Sequence, residues 1–162
     1  MQRVIKVGMA DLKVVIEPDV LTTLGLGSCV GIALYDKYKK IAGLAHIMLP
    51  SSQQIKNNSN PAKFADTAIE LLIQEMLNQG AVLSRISAKI AGGSQMFSFG
   101  NNGSDLMKIG YRNTVATKEI LAASKIPILS EDTGGNHGRT IEFYSETGDL
   151  LVKTIGHGVK TI

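Results

Sequence analysis

Thr22-Thr23-Leu24-Gly25-Leu26-Gly27-Ser28-Cys29-Val30 and Ala45-His46-Ile47-Met48-Leu49-Pro50 carry the only cysteine and, seventeen residues later, a histidine. Between them stand two apolar runs, Val30 to Asp36 and Ile41 to Leu49. The charged turn Lys37-Tyr38-Lys39-Lys40 separates the runs, which is the pattern of a β-hairpin. Folding about the Tyr38-Lys39 centre pairs Asp36 with Ile41, Gly31 with His46 and Cys29 with Met48. Residues two apart on a strand share a face, so Cys29 and His46 become diagonal cross-strand neighbours, with about 7–8 Å between their backbones. Gly31, directly opposite His46, leaves the ring room to lean toward the sulfur. A register slip of one residue would put the two side chains on opposite faces.

Gly25 and Gly27 open backbone conformations closed to other residues and leave the thiol unshielded. A tight turn before a nucleophile also aims backbone N–H groups at one point, so Gly27 and Ser28 are candidates for positioning an oxyanion. The competing reading is that a lone cysteine is a small buried hydrophobe. Spacing alone leaves both readings open. Thiol chemistry on a carboxamide needs a base for the thiol proton, an acid for the departing amine and a group holding the imidazole in one tautomer. His46 fits the first two roles, with Cys29 as the nucleophile it serves.

At 162 residues the length suits one domain, 1–162, with a core large enough to fold unaided. Hydrophobic content of 44% with 19% charged residues is that of an ordinary globular protein. The absence of tryptophan, with aromatics at 5%, argues against a base-stacking surface, so no nucleic-acid partner is expected. A net charge of +3 is scattered, and Lys37 to Lys40 reads as a solvated hairpin tip. A single cysteine makes no internal disulfide, and no cluster has metal-ligand spacing, so neither metal nor cofactor is expected. No apolar stretch approaches the roughly 18 residues of a membrane span, and the amino end lacks a leader pattern. The expectation is a cytoplasmic protein with a reduced thiol and no direct membrane insertion.

Arg3 to Gly8 and Lys13 to Glu17 read as short strands, the second closed by Pro18-Asp19. Thr22 to Cys29 reads as a loop leading into the hairpin. Ser51 to Pro61 is a polar loop, either a rim of the Cys/His site or a plain connection. Asn60 and Pro61 read as the cap and first residue of a helix whose stripe includes Phe64, Ala65, Ala68, Leu71, Leu72, Glu75 and Met76, ending at Gly80. Leu83 to Ala91 is an expected strand. Gly92-Gly93-Ser94-Gln95 lacks the pattern of a nucleotide loop and reads as a close backbone crossing. Phe97 to Asp105 is an expected loop, and a second helix is expected from Asn113 to about Lys125. Ile126 to Ser130 reads as a strand, and Asp132 to Arg139 as a loop of unusual backbone angles. His137 is the alternative base, with Asp132 as its partner; otherwise Arg139 makes structural hydrogen bonds there. Thr140 to Ser145 and Leu150 to Ile155 form a closing hairpin, with His157 in an inert tail. Most neighbouring strands join through hairpins, so the fold class is α+β, a layered sandwich of mixed or antiparallel sheet with two or three helices.

The runs Thr23 to Val30 and Ala45 to Pro50, with Ala91-Gly92-Gly93-Ser94-Gln95-Met96-Phe97, Ile109-Gly110-Tyr111-Arg112-Asn113 and Gly134-Gly135-Asn136-His137-Gly138-Arg139, resemble the CheD family. These are the chemoreceptor glutamine deamidases of bacterial and archaeal chemotaxis. The resemblance spans nearly the whole chain. It implies a layered domain akin to the catalytic domains of deamidating bacterial toxins, with a Cys/His site at one edge. It assigns Cys29 as nucleophile, His46 as base and Thr23 as the orienter of the ring; the adjacent Thr22 matches the motif less well. It implies deamidation of glutamines on methyl-accepting chemotaxis receptors through a thioester. It also implies binding and stimulation of the CheC phosphatase, with a mainly non-catalytic partnership with CheC as the alternative role.

Overall fold

The apolar runs of the hairpin find partners on both faces. A computed structural model describes residues 1–96 and 108–162. Among these the strands are β1 (Val4–Lys6), β2 (Asp11–Ile16), β3 (Val20–Leu26), β4 (Val30–Asp36), β5 (Ile41–Ile47), β6 (Ile86–Gly92), β7 (Ile128–Thr133), β8 (Arg139–Tyr144), β9 (Leu150–Thr154) and β10 (Gly158–Thr161). The helices are α1 (Ala65–Asn78) and α2 (Ile109–Ala123). The loop expected over Phe97 to Asp105 lies outside the described residues.

The strands form two five-stranded mixed sheets, ordered β1-β3-β8-β9-β10 and β2-β5-β4-β6-β7. One parallel pair in each, β1 with β3 and β6 with β7, accompanies otherwise antiparallel neighbours. The α+β class, the mixed sheets and two helices are as expected. The hairpin register is also as expected, with Gly31 opposite His46 and Asp36 opposite Ile41, but the ladder stops at Val30 opposite Ile47, one pair short of the expected Cys29 and Met48. Asp36 fixes the turn: its buried carboxylate accepts from the amides of Tyr38 (3.0 Å), Lys39 (3.1 Å) and Val82 (2.9 Å) and pairs with Arg85. Every residue of β4 and β5 is buried. On one face Val30, Ile32, Leu34, Ala45 and Ile47 meet the α1 stripe of Ala65, Ala68, Ile69, Leu72 and Met76. On the other, Ala33, Tyr35, Ala42 and Leu44 meet Leu21, Ile141, Phe143 and Val152 of the second sheet. The layers are therefore helices, sheet and sheet.

Several boundaries differ from expectation. Residues 20–26 are a strand and not a loop; Gly25, at φ +70°, sits in a bulge where the pairing with β8 shifts between Thr23 and Leu26. Asn60 caps a short 3-10 turn, its Oδ1 accepting from Ala62 N (3.0 Å), and the α-helix proper starts at Ala65. Leu83–Arg85 is a turn ahead of β6. Helix α2 begins four residues earlier than expected, because Lys108, which precedes it, makes no side-chain cap and gives no start signal. Asp132 and Thr133 belong to β7 rather than to the following loop. His157 lies in a tight turn between β9 and β10, whose exposed residues carry no alternation of burial to announce a strand.

Candidate active site

Cys29 lies one residue ahead of β4, and its side chain joins the packing between the two sheets with Ala33 and Leu44. His46 continues the alternation of Ala42 and Leu44 along β5, so the two side chains share the inter-sheet face. Strand β5 is flanked by β2 and β4, and His46 pairs with Asp11 on one side and Gly31 on the other. The space a Gly31 side chain would need is not left to the ring: Ile141 Cδ1 and Leu26 Cδ1 stand 2.7 and 3.1 Å from where its Cβ would be. Gly31 thus lets the second sheet approach, which the spacing argument had not anticipated.

That approach brings Thr23 of β3 to His46. Thr23 is completely buried, and its Oγ1 lies 2.7 Å from Val7 O and 2.7 Å from His46 Nδ1. A carbonyl only accepts, so the single hydroxyl hydrogen goes to Val7. Toward the imidazole the hydroxyl is then an acceptor, and Nδ1 carries the ring proton. Nε2 is left as the basic nitrogen. It is buried and has no hydrogen-bond partner among the described residues.

The backbone around the nucleophile is anchored on its carbonyl side. Ser94 N–H donates to Gly27 O (2.8 Å), Asn113 Nδ2 to Ser28 O (2.9 Å) and Gly93 N–H to Cys29 O (2.8 Å). The glycines of this crossing are sterically required. A Cβ on Gly92, at φ +110°, would strike Cys29 O, and one on Gly110 in the first turn of α2 would strike Ser94 O. Gly92-Gly93-Ser94 is the close crossing its composition suggested. With the three carbonyls engaged, the amides of Ser28 and Cys29 donate to no backbone carbonyl among the described residues, whereas Gly27 N–H is spent on Gly25 O at 3.0 Å. Beside this turn Met96, 43% exposed, covers Gly27.

Burial sets the protonation of the pair. Cys29 retains 8% of its surface and His46 1%. Burial pushes the Cys29 thiol above its ordinary value, only partly offset by its own backbone N–H, and pulls His46 from 6.5 down to about 4. At neutral pH the resting pair is a neutral thiol and a neutral imidazole. This suits a base that takes the proton as the sulfur attacks.

The alternative base is placed differently. The His137 ring lies against that of His157, with 3.8 Å between centroids and a tilt of 47°. Asp132 is occupied by Arg139 (3.2 Å) and Lys160 (3.1 Å). Arg139 makes the structural hydrogen bonds expected of it, donating from Nη1 to Ser94 Oγ (2.7 Å) and Gly92 O (3.3 Å). Ser94 and Asn113 are the site residues that spacing did not single out. Among the described residues no group of three or more His, Cys, Asp or Glu side chains gathers as a metal site, and no helix is long and apolar enough to cross a membrane.

Residues 48–154 match the family described as CheD chemotactic sensory transduction. A relative named probable chemoreceptor glutamine deamidase CheD, from Caldanaerobacter subterraneus subsp. tengcongensis, is 64% identical over 99% of this chain and 98% of its own. One of the same name from Syntrophomonas wolfei is 62% identical over the full length of both. The chemoreceptor glutamine deamidase CheD of Halalkalibacterium halodurans is 53% identical, again over both full lengths. Among solved structures, the hypothetical protein YfiH of Bacillus licheniformis aligns with a TM-score of 0.41 at 15% identity, over 70% of this chain and 46% of that one.

Proposed function

Because the chain belongs to the CheD family, we propose that it deamidates glutamine side chains of methyl-accepting chemotaxis receptors to glutamate, with Cys29 as nucleophile, His46 as base and Thr23 as the orienter of the ring. The observation that carries this reading is the tautomer imposed on His46: Thr23 takes Nδ1–H, and Nε2 is left unpartnered on the face that also carries Cys29. As Sγ attacks the carboxamide carbon, Nε2 takes the thiol proton. The tetrahedral oxygen gathers negative charge against the amides of Cys29 and Ser28. Gly27 contributes the turn and not a donor, its N–H being spent on Gly25. The imidazolium then gives its proton to the departing nitrogen, and ammonia leaves behind a thioester. Water, deprotonated by Nε2, hydrolyses the thioester to glutamate and returns the thiol. A buried imidazole with no carboxylate behind it stabilises its positive charge weakly, so the expected catalyst is a modest one.

Binding to the CheC phosphatase rests on the family resemblance. The surface suited to it is the apolar rim beside the site, where Leu24 and Met96 are 49% and 43% exposed. Receptor and CheC would then compete, and receptor fragment added to a CheC complex would displace it. The deamidase reading is tested by incubating wild type and Cys29→Ala with receptor cytoplasmic fragments, following ammonia and the mass increase as glutamine becomes glutamate. Wild type releases ammonia, and the variant is slower by at least about 1,000-fold. Equal rates remove Cys29 from the mechanism.

A further inference from the structure

The β4–β5 ladder ends at Val30 opposite Ile47. Cys29 lies one residue beyond that end, so main-chain pairing with β5 does not hold the nucleophile against His46. The bridging is done by a side chain. Asn113, completely buried in α2, donates from Nδ2 to Ser28 O (2.9 Å) and to Met48 O (3.0 Å). Ser28 immediately precedes the nucleophile, and Met48 lies two residues past the base. Both acceptors are carbonyls, which fixes the orientation of the amide: its two hydrogens serve one strand end each, and Oδ1 faces away without a partner among the described residues. Gly110, one turn earlier, lets α2 come down onto Gly93 and Ser94, which sets Asn113 at this depth.

We propose that Asn113 is a positioning residue of the active site, clamping the chain ends that carry Cys29 and His46 at the separation and angle that proton transfer requires. It touches neither substrate nor reacting atoms. Pulling on Ser28 O also orients the Cys29 amide, since the two belong to one peptide plane. Loss of the clamp therefore weakens both thiol activation and oxyanion stabilisation, which act in the chemical step and not in substrate capture.

The test uses the full chain. Asn113→Ala leaves both carbonyls without a donor, and Asn113→Asp replaces the donor with a group of the same shape that has none when ionised. Thr117→Val is the comparison: Thr117 lies one turn further along α2, buried and with no partner for its hydroxyl. Each folded variant is assayed for kcat and KM on receptor fragment, and for the rate at which iodoacetamide alkylates Cys29. Both Asn113 variants are expected to lose about 10–100-fold in kcat, with KM within about two-fold and slower alkylation. Thr117→Val is expected to match wild type in all three. The kinetic half rests on the deamidase reading, whereas the alkylation half needs no receptor. A wild type that alkylates but leaves receptor fragments untouched overturns the deamidase reading alone. Asn113 variants that alkylate at the wild-type rate, or change KM with kcat intact, overturn the positioning role. If Asn113→Ala fails to fold, the isosteric Asn113→Asp decides.

Discussion

Replacing Thr23 with valine keeps the shape of the side chain and removes one hydroxyl. Two groups lose a partner at once: Val7 O, 2.7 Å away, and His46 Nδ1, also 2.7 Å away. Both contacts are buried, so water does not take over, and each abandoned group costs about 1–3 kcal/mol. Part of this is recovered because valine buries no polar atom, leaving an expected destabilisation of about 2–4 kcal/mol. The catalytic effect is separate. Without an acceptor at Nδ1 the ring is free to carry its proton on Nε2, where it is useless as a base, and loss of an orienting partner of this kind costs about 10–100-fold in rate. Thr23→Ser restores the hydroxyl and forfeits a buried methyl, worth about 1 kcal/mol. Stability is read by urea unfolding, rate by ammonia release from receptor fragment, and the tautomer by the nitrogen chemical shifts of His46. The expected order is a valine variant weakened in all three measurements and a serine variant weakened in stability only. A valine variant with wild-type kcat and an unchanged Nδ1–H signal would refute the orienting role, whatever its stability.

Two further outcomes are expected. His46 is protonated near 6.5 in the unfolded chain and at about 4 in the folded one, so between those values the unfolded state binds the extra proton. Stability present above pH 6.5 is then lost as pH falls toward 4, by roughly 3 kcal/mol in all. Subtracting urea unfolding curves of His46→Gln from those of wild type isolates this slope, and the acid limb of kcat/KM should fall nearer 4 than 6.5. Arg139→Met removes the donor to Ser94 Oγ and Gly92 O and strips Asp132 of its buried partner, leaving it only the exposed Lys160. A loss of about 3 kcal/mol is expected by thermal unfolding, with kcat falling because the turn bracing Cys29 loosens. Arg139→Lys should recover little, lacking the fork.

What the sequence revealed of this molecule depends on how local each feature is. The register of β4 and β5 was legible because two apolar runs flank a short charged turn and the pairing follows by counting outward from it. Cys29 and His46 stand at the same end of that hairpin, so spacing was enough to place them on one face. Thr23 belongs to the other sheet, and its contact with His46 crosses between layers. No periodicity encodes such a crossing, and only the family resemblance pointed to it. Gly25 misled the reading of β3, because a bulge and a loop use the same residue for the same positive φ. Asn113 is the residue at which the sequence places the start of the second helix. With the true start at Ile109 it falls in the second turn, where a buried amide serves tertiary carbonyls instead.

Why a threonine suffices behind the histidine follows from where its hydrogen goes. A carboxylate in that place would favour the imidazolium, raise His46 and draw the thiol proton across at rest, giving a standing thiolate. Thr23, committed to Val7 O as donor, offers His46 one neutral lone pair: enough to fix the tautomer, too little to offset burial. The imidazole therefore stays neutral and the thiol stays protonated, each shift opposing transfer at rest. The balance changes when a carboxamide arrives. In the proposed reaction, attack places negative charge on an oxygen beside the Cys29 and Ser28 amides, while the thiol proton moves to Nε2. Separated charges that are costly alone then stabilise one another. On this account nucleophilicity is conferred by the substrate, and the groups that make it possible are the anchors of the backbone as much as the reacting side chains.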